Sequence, residues 1–166
     1  MPLLKDDALI EDAWVAVADG DDIPASSPAI VSLERWTTLS KELAGRNAPL
    51  GVRLRSDQSP AGIAGDLHRF SLVALEFPTF KDGRAFSHAR LLRERYGFQG
   101  EIRAVGKVLK DQYLFMRRCG FDAFEIAAGE DPAQWRRQAA AFSAFYQRAA
   151  DARPSVLDLR HAPAAE

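Results

Sequence analysis

Charged side chains at the carboxyl ends of apolar runs are the part of this sequence that could do chemistry. Asp82 and Arg84 come just after the run Leu72–Phe77, and open α/β sheets and barrels bind ligands at that end of their strands. A helix starting there offers free amide donors and a partial positive charge suited to an anion. Arg84, with Arg90 further along the same helix, would add charged donors, and Asp82 would cap the helix or orient the arginines. A second run, Glu101–Gly106, carries Arg103 among small and apolar neighbours. A cation there must pair or face a site, because an unpaired buried charge is very costly. Lys107 follows at the carboxyl end of that run, with Asp111-Gln112 one turn later. The expected site is an anion-binding rim of Arg84, Arg90, Arg103 and Lys107, with Asp82 and Asp111 as candidates for a general base. The competing reading of the same residues is structural: a cap, a turn and a network of ion pairs.

Other motifs are absent. The sequence has no G-x-G-x-x-G, no G-x-x-x-x-G-K-[ST], no H-E-x-x-H, no C-x-x-C and no G-x-S-x-G, which disfavours dinucleotide, P-loop, zinc-protease, thioredoxin-like and hydrolase chemistry. The single cysteine, Cys119, excludes a disulfide framework, a four-cysteine zinc site and a self-contained iron–sulfur cluster. Placed before Gly120, it reads as a small apolar core residue. His68, His88 and His161 fall on different elements and read as packing or surface residues, so neither a metal nor a cofactor is expected. With 22 basic and 23 acidic residues the net charge is -1, unlike a polycation built for nucleic acid. Nothing approaches the ~18 consecutive apolar residues of a membrane span. The amino terminus turns acidic at once instead of forming a secretory leader. A cytoplasmic protein without membrane or nucleic-acid partners is expected. The charge is nonetheless uneven: residues 1–25 hold one base against seven acids, and residues 81–118 hold ten bases against four acids. Such asymmetry means either two differently solvated surfaces or a face for an anion or partner.

The elements that position these residues alternate. Strands are predicted over 14–18, 29–33, 50–54, 72–77, 101–106 and 121–126. Helices are predicted over 35–44, 60–68 and 82–96, through Leu109, Tyr113 and Met116 to Gly120, and over 131–150. The last of these would bury Trp135, Ala139, Phe142 and Phe145 or Tyr146. Such alternation means right-handed crossovers and a mostly parallel sheet in one α/β domain, doubly wound or partly (β/α)-barrel-like. At 166 residues the chain falls short of the ~200–250 of a complete eight-stranded barrel. The expected organisation is an acidic segment with a short strand over 1–28, a core over 29–152 and a loose tail over 153–166. Residues 156–159 of that tail have the pattern to dock.

Three stretches carry a family resemblance: F-P-x-F-x-D-G-R-x-F-S-x-A-R-x-L-R over 77–93, R-A-V-G-x-V-x-x-D-Q over 103–112 and R-C-G-F-D-A-F over 118–124. They resemble the bacterial domain-of-unknown-function family number nine-three-four, whose members carry the label of an oxidoreductase involved in sulfite reduction. The likeness extends more weakly from about Trp36 to Phe145. It implies a protein of assimilatory sulfite reduction, with sulfite reductase as partner and a small oxyanion or anionic metabolite at the rim. The label follows from neighbouring sulfur genes, and the residues argue against an autonomous redox enzyme. Sulfite reduction uses sirohaem and an iron–sulfur cluster, which one cysteine cannot hold, and no flavin or nicotinamide motif is present. The expectation is therefore an accessory of the reductase. The alternative is a small α/β enzyme acting on a sulfur- or phosphate-bearing metabolite, with Asp82 or Asp111 as general base.

Overall fold

The computed structural model describes residues 1–43, 45–151 and 153–161. Eight short strands form one sheet: β1 (Leu3–Lys5), β2 (Ala8–Ile10), β3 (Val15–Ala16), β4 (Ala29–Ser32), β5 (Leu50–Leu54), β6 (Leu72–Phe77), β7 (Glu101–Gly106) and β8 (Ala123–Glu125). Their order is β2-β1-β8-β7-β6-β5-β4-β3. From β3 to β8 each strand pairs in parallel with its sequence neighbour, whereas β1 is antiparallel to both β8 and β2. The sheet is therefore mixed, though mostly parallel. Because the strand order never reverses between β3 and β8, every crossover passes on the same side and the helices collect on one face. Of the two expected architectures, the partial barrel is formed and the doubly wound sheet is not.

The chain itself requires the sheet to curl. Residues 11–14 alone join β2 to β3, which lie at opposite edges. Even fully extended, the link from Ile10 to Val15 reaches about 18 Å. Eight strands laid flat would hold their edges about 34 Å apart. The sheet bends into a half-barrel, and the link crosses its concave side.

Helices α1 (Leu33–Leu43), α2 (Arg84–Arg90), α3 (Tyr113–Arg118), α4 (Pro132–Ala139) and α5 (Val156–His161) complete the fold, with a 3₁₀ segment over Pro60–Arg69. Ala44, the expected end of α1, lies outside the described residues. Instead of running unbroken over 82–96, α2 widens into a π-helical turn at Leu91–Arg95. The helix expected over 131–150 stops at Ala139. Asp131 caps its start, accepting from the Ala133 amide at 2.9 Å. Of the predicted stripe, Trp135 and Ala139 are buried, while Phe142 and Tyr146 stay in water. The buried side of α4 packs on α3 and on the turn Lys110–Gln112 before it, and where burial stops propensity alone does not sustain a helix of the expected length. The chain turns back instead, pairing Phe145 with Ser155 ahead of α5. The expected loose tail is thus partly ordered: Asp158 of α5 accepts from Arg148 Nε at 3.0 Å and from the Ser155 hydroxyl at 2.8 Å. Residues 162–166 lie outside the described residues.

Alternation along the strands separates two interiors. Val31, Val52, Val73, Leu75, Ile102 and Phe124 face the helices in the main core. On the concave side Ile30, Leu72, Ala74 and Val105 form a second cluster covered by Trp14 from the crossing link. The segment over 1–28 supplies three strands of the barrel wall, β1 to β3, and Trp14 of its filling.

Candidate functional site

One row of residues crosses the concave face. Register pairs Ser32 with Arg53, Arg53 with Ala74, Ala74 with Arg103, Arg103 with Ala123 and Ala123 with Lys5. Long basic side chains alternate with alanines, which leave room for them. Arg103 is 1% exposed. It grips Asp12 with both terminal nitrogens, at 2.7 and 3.2 Å, and donates from Nε to Glu101 at 2.9 Å. Lys5 closes the network on Glu101 at 2.8 Å. Removing one partner of such a buried pair typically costs about 3–5 kcal/mol. Glu125 faces the same interior; burial pushes its carboxyl up, against the opposing pull of Arg103.

The expected rim residues have separate partners. Arg84 donates from Nε to Asp82 at 3.0 Å, and from one terminal nitrogen to Asp82 at 2.6 Å and to the buried Ser56 hydroxyl at 3.0 Å. Asp82 also accepts from the Arg84 amide at 3.2 Å. Arg84 first, then Ser56, holds the Asp82 carboxyl far below its usual range. Lys107 is exposed, and its amide donates to the Phe77 carbonyl at 2.7 Å. That bond places it on the rim where the loop to Arg84 begins, because β6 and β7 lie side by side. Arg90 instead bonds Glu94 one turn along the helix, at 2.9 Å. Arg84 and Lys107 thus share the carboxyl-terminal edge, Arg103 lies inside the barrel and Arg90 on the outer helix layer. Asp111 forms no ion pair with Lys107 or Arg103 among the described residues.

Several important residues went unread in the sequence. Asp7 accepts from the Tyr113 hydroxyl at 2.6 Å and from Arg117 at 3.0 Å, and Asp12 holds Arg103. Two of the seven amino-terminal acids, Asp7 and Asp12, thus pair with arginines of the basic stretch. Arg93, last residue of the first motif, donates to the carbonyls of Gly120, Phe98 and Gly100 at 3.0, 2.6 and 2.8 Å and pairs with Asp122. Asp122 also accepts from the Ile102 amide at 2.8 Å. These bonds tie the motif over 77–93 to the one over 118–124, so part of both motifs is scaffold. A cavity of 390 Å³ at the carboxyl-terminal ends of β3 to β6 is lined by Asp19, Ser32, Arg53 and Glu76. Ser32 donates to Asp19 at 2.6 Å, and Arg53 meets Glu76 at 3.1 Å. Its only signal in the sequence was a lone charge in each of two apolar runs.

The one thiol is not poised to react. Cys119 is buried and its thiol is pushed up to about 11 by desolvation, so it stays protonated and is a poor ligand or nucleophile. Among the described residues no three His, Cys, Asp or Glu side chains cluster as a metal would need. His88 is half-buried with its basicity lowered by desolvation and by Arg84. No described helix is long and apolar enough to cross a membrane.

The profile of one protein family, described as "Bacterial protein of unknown function (DUF934)", matches residues 51–157. The chain belongs to the DUF934 family. The matched region of this DUF934 protein begins in β5 and holds the rim, the Arg93–Asp122 clamp and Arg103. The hairpin, Asp12 and β4 lie before it. No match was found among curated proteins or among solved structures.

Proposed function

We propose that this DUF934 chain is a non-redox accessory of assimilatory sulfite reduction that binds sulfite reductase through acidic groups on the enzyme. The resemblance in its motifs supplies the pathway. The observation that carries the binding role is the bond from the Lys107 amide to the Phe77 carbonyl, which joins two loops into one exposed cationic edge. That edge presents Lys81, Arg84 and Lys107 together with Phe80, 63% exposed, and Leu109. Cations around exposed apolar side chains suit a protein surface with an acidic rim. A sulfur oxyanion is the smaller ligand of the same chemistry. The buried Cys119 thiol, pushed up by desolvation, supports a role outside thiol chemistry. The enzymatic alternative loses Asp82, since a carboxylate held that low is a weak general base, and rests on Asp111.

The test is coexpression with sulfite reductase followed by co-purification at low salt. The wild-type chain should be retained, and Lys81→Glu with Lys107→Glu, both exposed, should abolish retention while leaving the thermal melt in place. Absence of association, together with unchanged sulfite-dependent growth of a deletion strain, would eliminate the reading.

A further inference from the structure

The irregular chain over 140–151 folds back across the carboxyl end of α3, where the Ala150 amide donates to the Arg118 carbonyl at 3.0 Å. Between them lies a groove of 510 Å³, within the size range of small-molecule sites. Its apolar lining is aromatic. Phe115, Phe142 and Tyr146 are 56%, 63% and 81% exposed, and Phe86 backs Phe115 with ring centroids 4.8 Å apart. Apolar rings left together in water mark a binding surface.

The charges around it are not equivalent. Arg90 is held by Glu94 and Arg148 by Asp158. Arg118, alone of the three arginines lining the groove, has no carboxylate partner among the described residues. Its guanidinium stacks 3.7 Å over the Phe145 ring and donates to the Gln147 carbonyl at 2.5 Å. Stacking and that one bond pre-organise the fork, which lowers the entropy lost when an anion takes its other donors. Asp111 also lines the groove and has no cation partner among the described residues. It disfavours multiply charged anions and favours a ligand that also carries a hydrogen-bond donor.

We propose that this groove binds a small planar aromatic monoanion, a carboxylate or sulfonate on a flat ring system. The ring lies against Phe115, Phe142 and Tyr146, and the charge sits on Arg118. The site is separate from the edge of Arg84 and Lys107 and does not depend on the sulfite-reduction reading.

The probe is 8-anilinonaphthalene-1-sulfonate, titrated by fluorescence into the full chain, with 2-naphthoate and the uncharged 2-naphthalenemethanol as competitors. Saturable one-to-one binding is expected, with 2-naphthoate competing about tenfold better than the alcohol. Arg118→Gln should weaken binding by about tenfold, and Phe142→Ala with Tyr146→Ala by at least as much. Lys41→Gln, on α1, should change nothing. Should Arg118→Gln disturb folding, the exposed aromatic pair and the charged-against-neutral comparison on the wild type still decide. Equal competition by the alcohol, or full affinity in the aromatic double variant, overturns the proposal. So does a dimer that the double variant disperses, which would assign the surface to a second copy.

Discussion

Arg103 shows how a single side chain organises the interior. In the sequence it was a charge among small and apolar residues, and the rule that a buried cation must pair predicted a partner without naming one. The partners are Asp12, 91 positions away, and Glu101, two positions away on the same face of β7. The second was within reach of strand periodicity; the first was not, because nothing local specifies which acid of the amino-terminal seven crosses the barrel. Glu125 reports on the same interior. Burial raises its carboxyl above the ordinary value of 4.5, so the folded chain holds that proton more tightly than the unfolded chain. Stability consequently falls as pH rises from 4.5 through the raised value. Glu125→Gln should remove this fall. Compared with the parent in urea melts, the variant should gain stability at pH 7 and little or none at pH 4. An equal effect at both values would mean that the carboxyl is not desolvated.

Element boundaries follow local chemistry only where tertiary contacts agree with it. β5, β6 and β7 begin and end where their runs do, because residues on both of their faces are buried, Arg53 of β5 being exposed at the cavity. The helix after Asp131 had an equally clear cap, yet it ends at Ala139, the last buried residue of its predicted stripe apart from the half-buried Phe145. The hairpin of β1 and β2 turns on Asp6 and Asp7, both with positive φ, 49° and 61°. Aspartate tolerates that region, but Asp6-Asp7 is not the Asn-Gly or Asp-Gly signal that makes such turns readable. Gly106 shows a junction with no latitude. Its φ is +89°, and a Cβ there would lie 2.6 Å from the Phe77 carbonyl oxygen. Gly106→Ala should lower unfolding free energy by about 1–3 kcal/mol and weaken the edge that Lys107 shares with Arg84. Gly62→Ala, with nothing within 4 Å, should cost no more than about 0.5 kcal/mol. A Gly106 variant as stable as the Gly62 variant would mean that β6 and β7 part easily at that end.

At the scale of the molecule, the amino terminus completes the half-barrel. It pairs with β8, spans the two sheet edges, covers the concave cluster with Trp14 and neutralises Arg103 with Asp12. Deleting residues 1–13 leaves β8 unpaired on one side and Arg103 with Glu101 as its only bonded carboxylate. The shortened chain should lose its cooperative thermal transition and near-ultraviolet dichroism; a melt within a few degrees of the intact protein would show that the wall is dispensable. The strand–helix alternation, the parallel pairing of β4 to β7, the buried Cys119 and the family were legible along the chain, because each depends on residues close in sequence. Barrel curvature, the sharing of carboxylates among the arginines, and the separation of Arg84 and Lys107 from Arg90 and Arg103 were decided by tertiary structure. A side chain's partner is whichever opposite charge the curled sheet brings within about 3 Å, and distance along the chain carries no information about that.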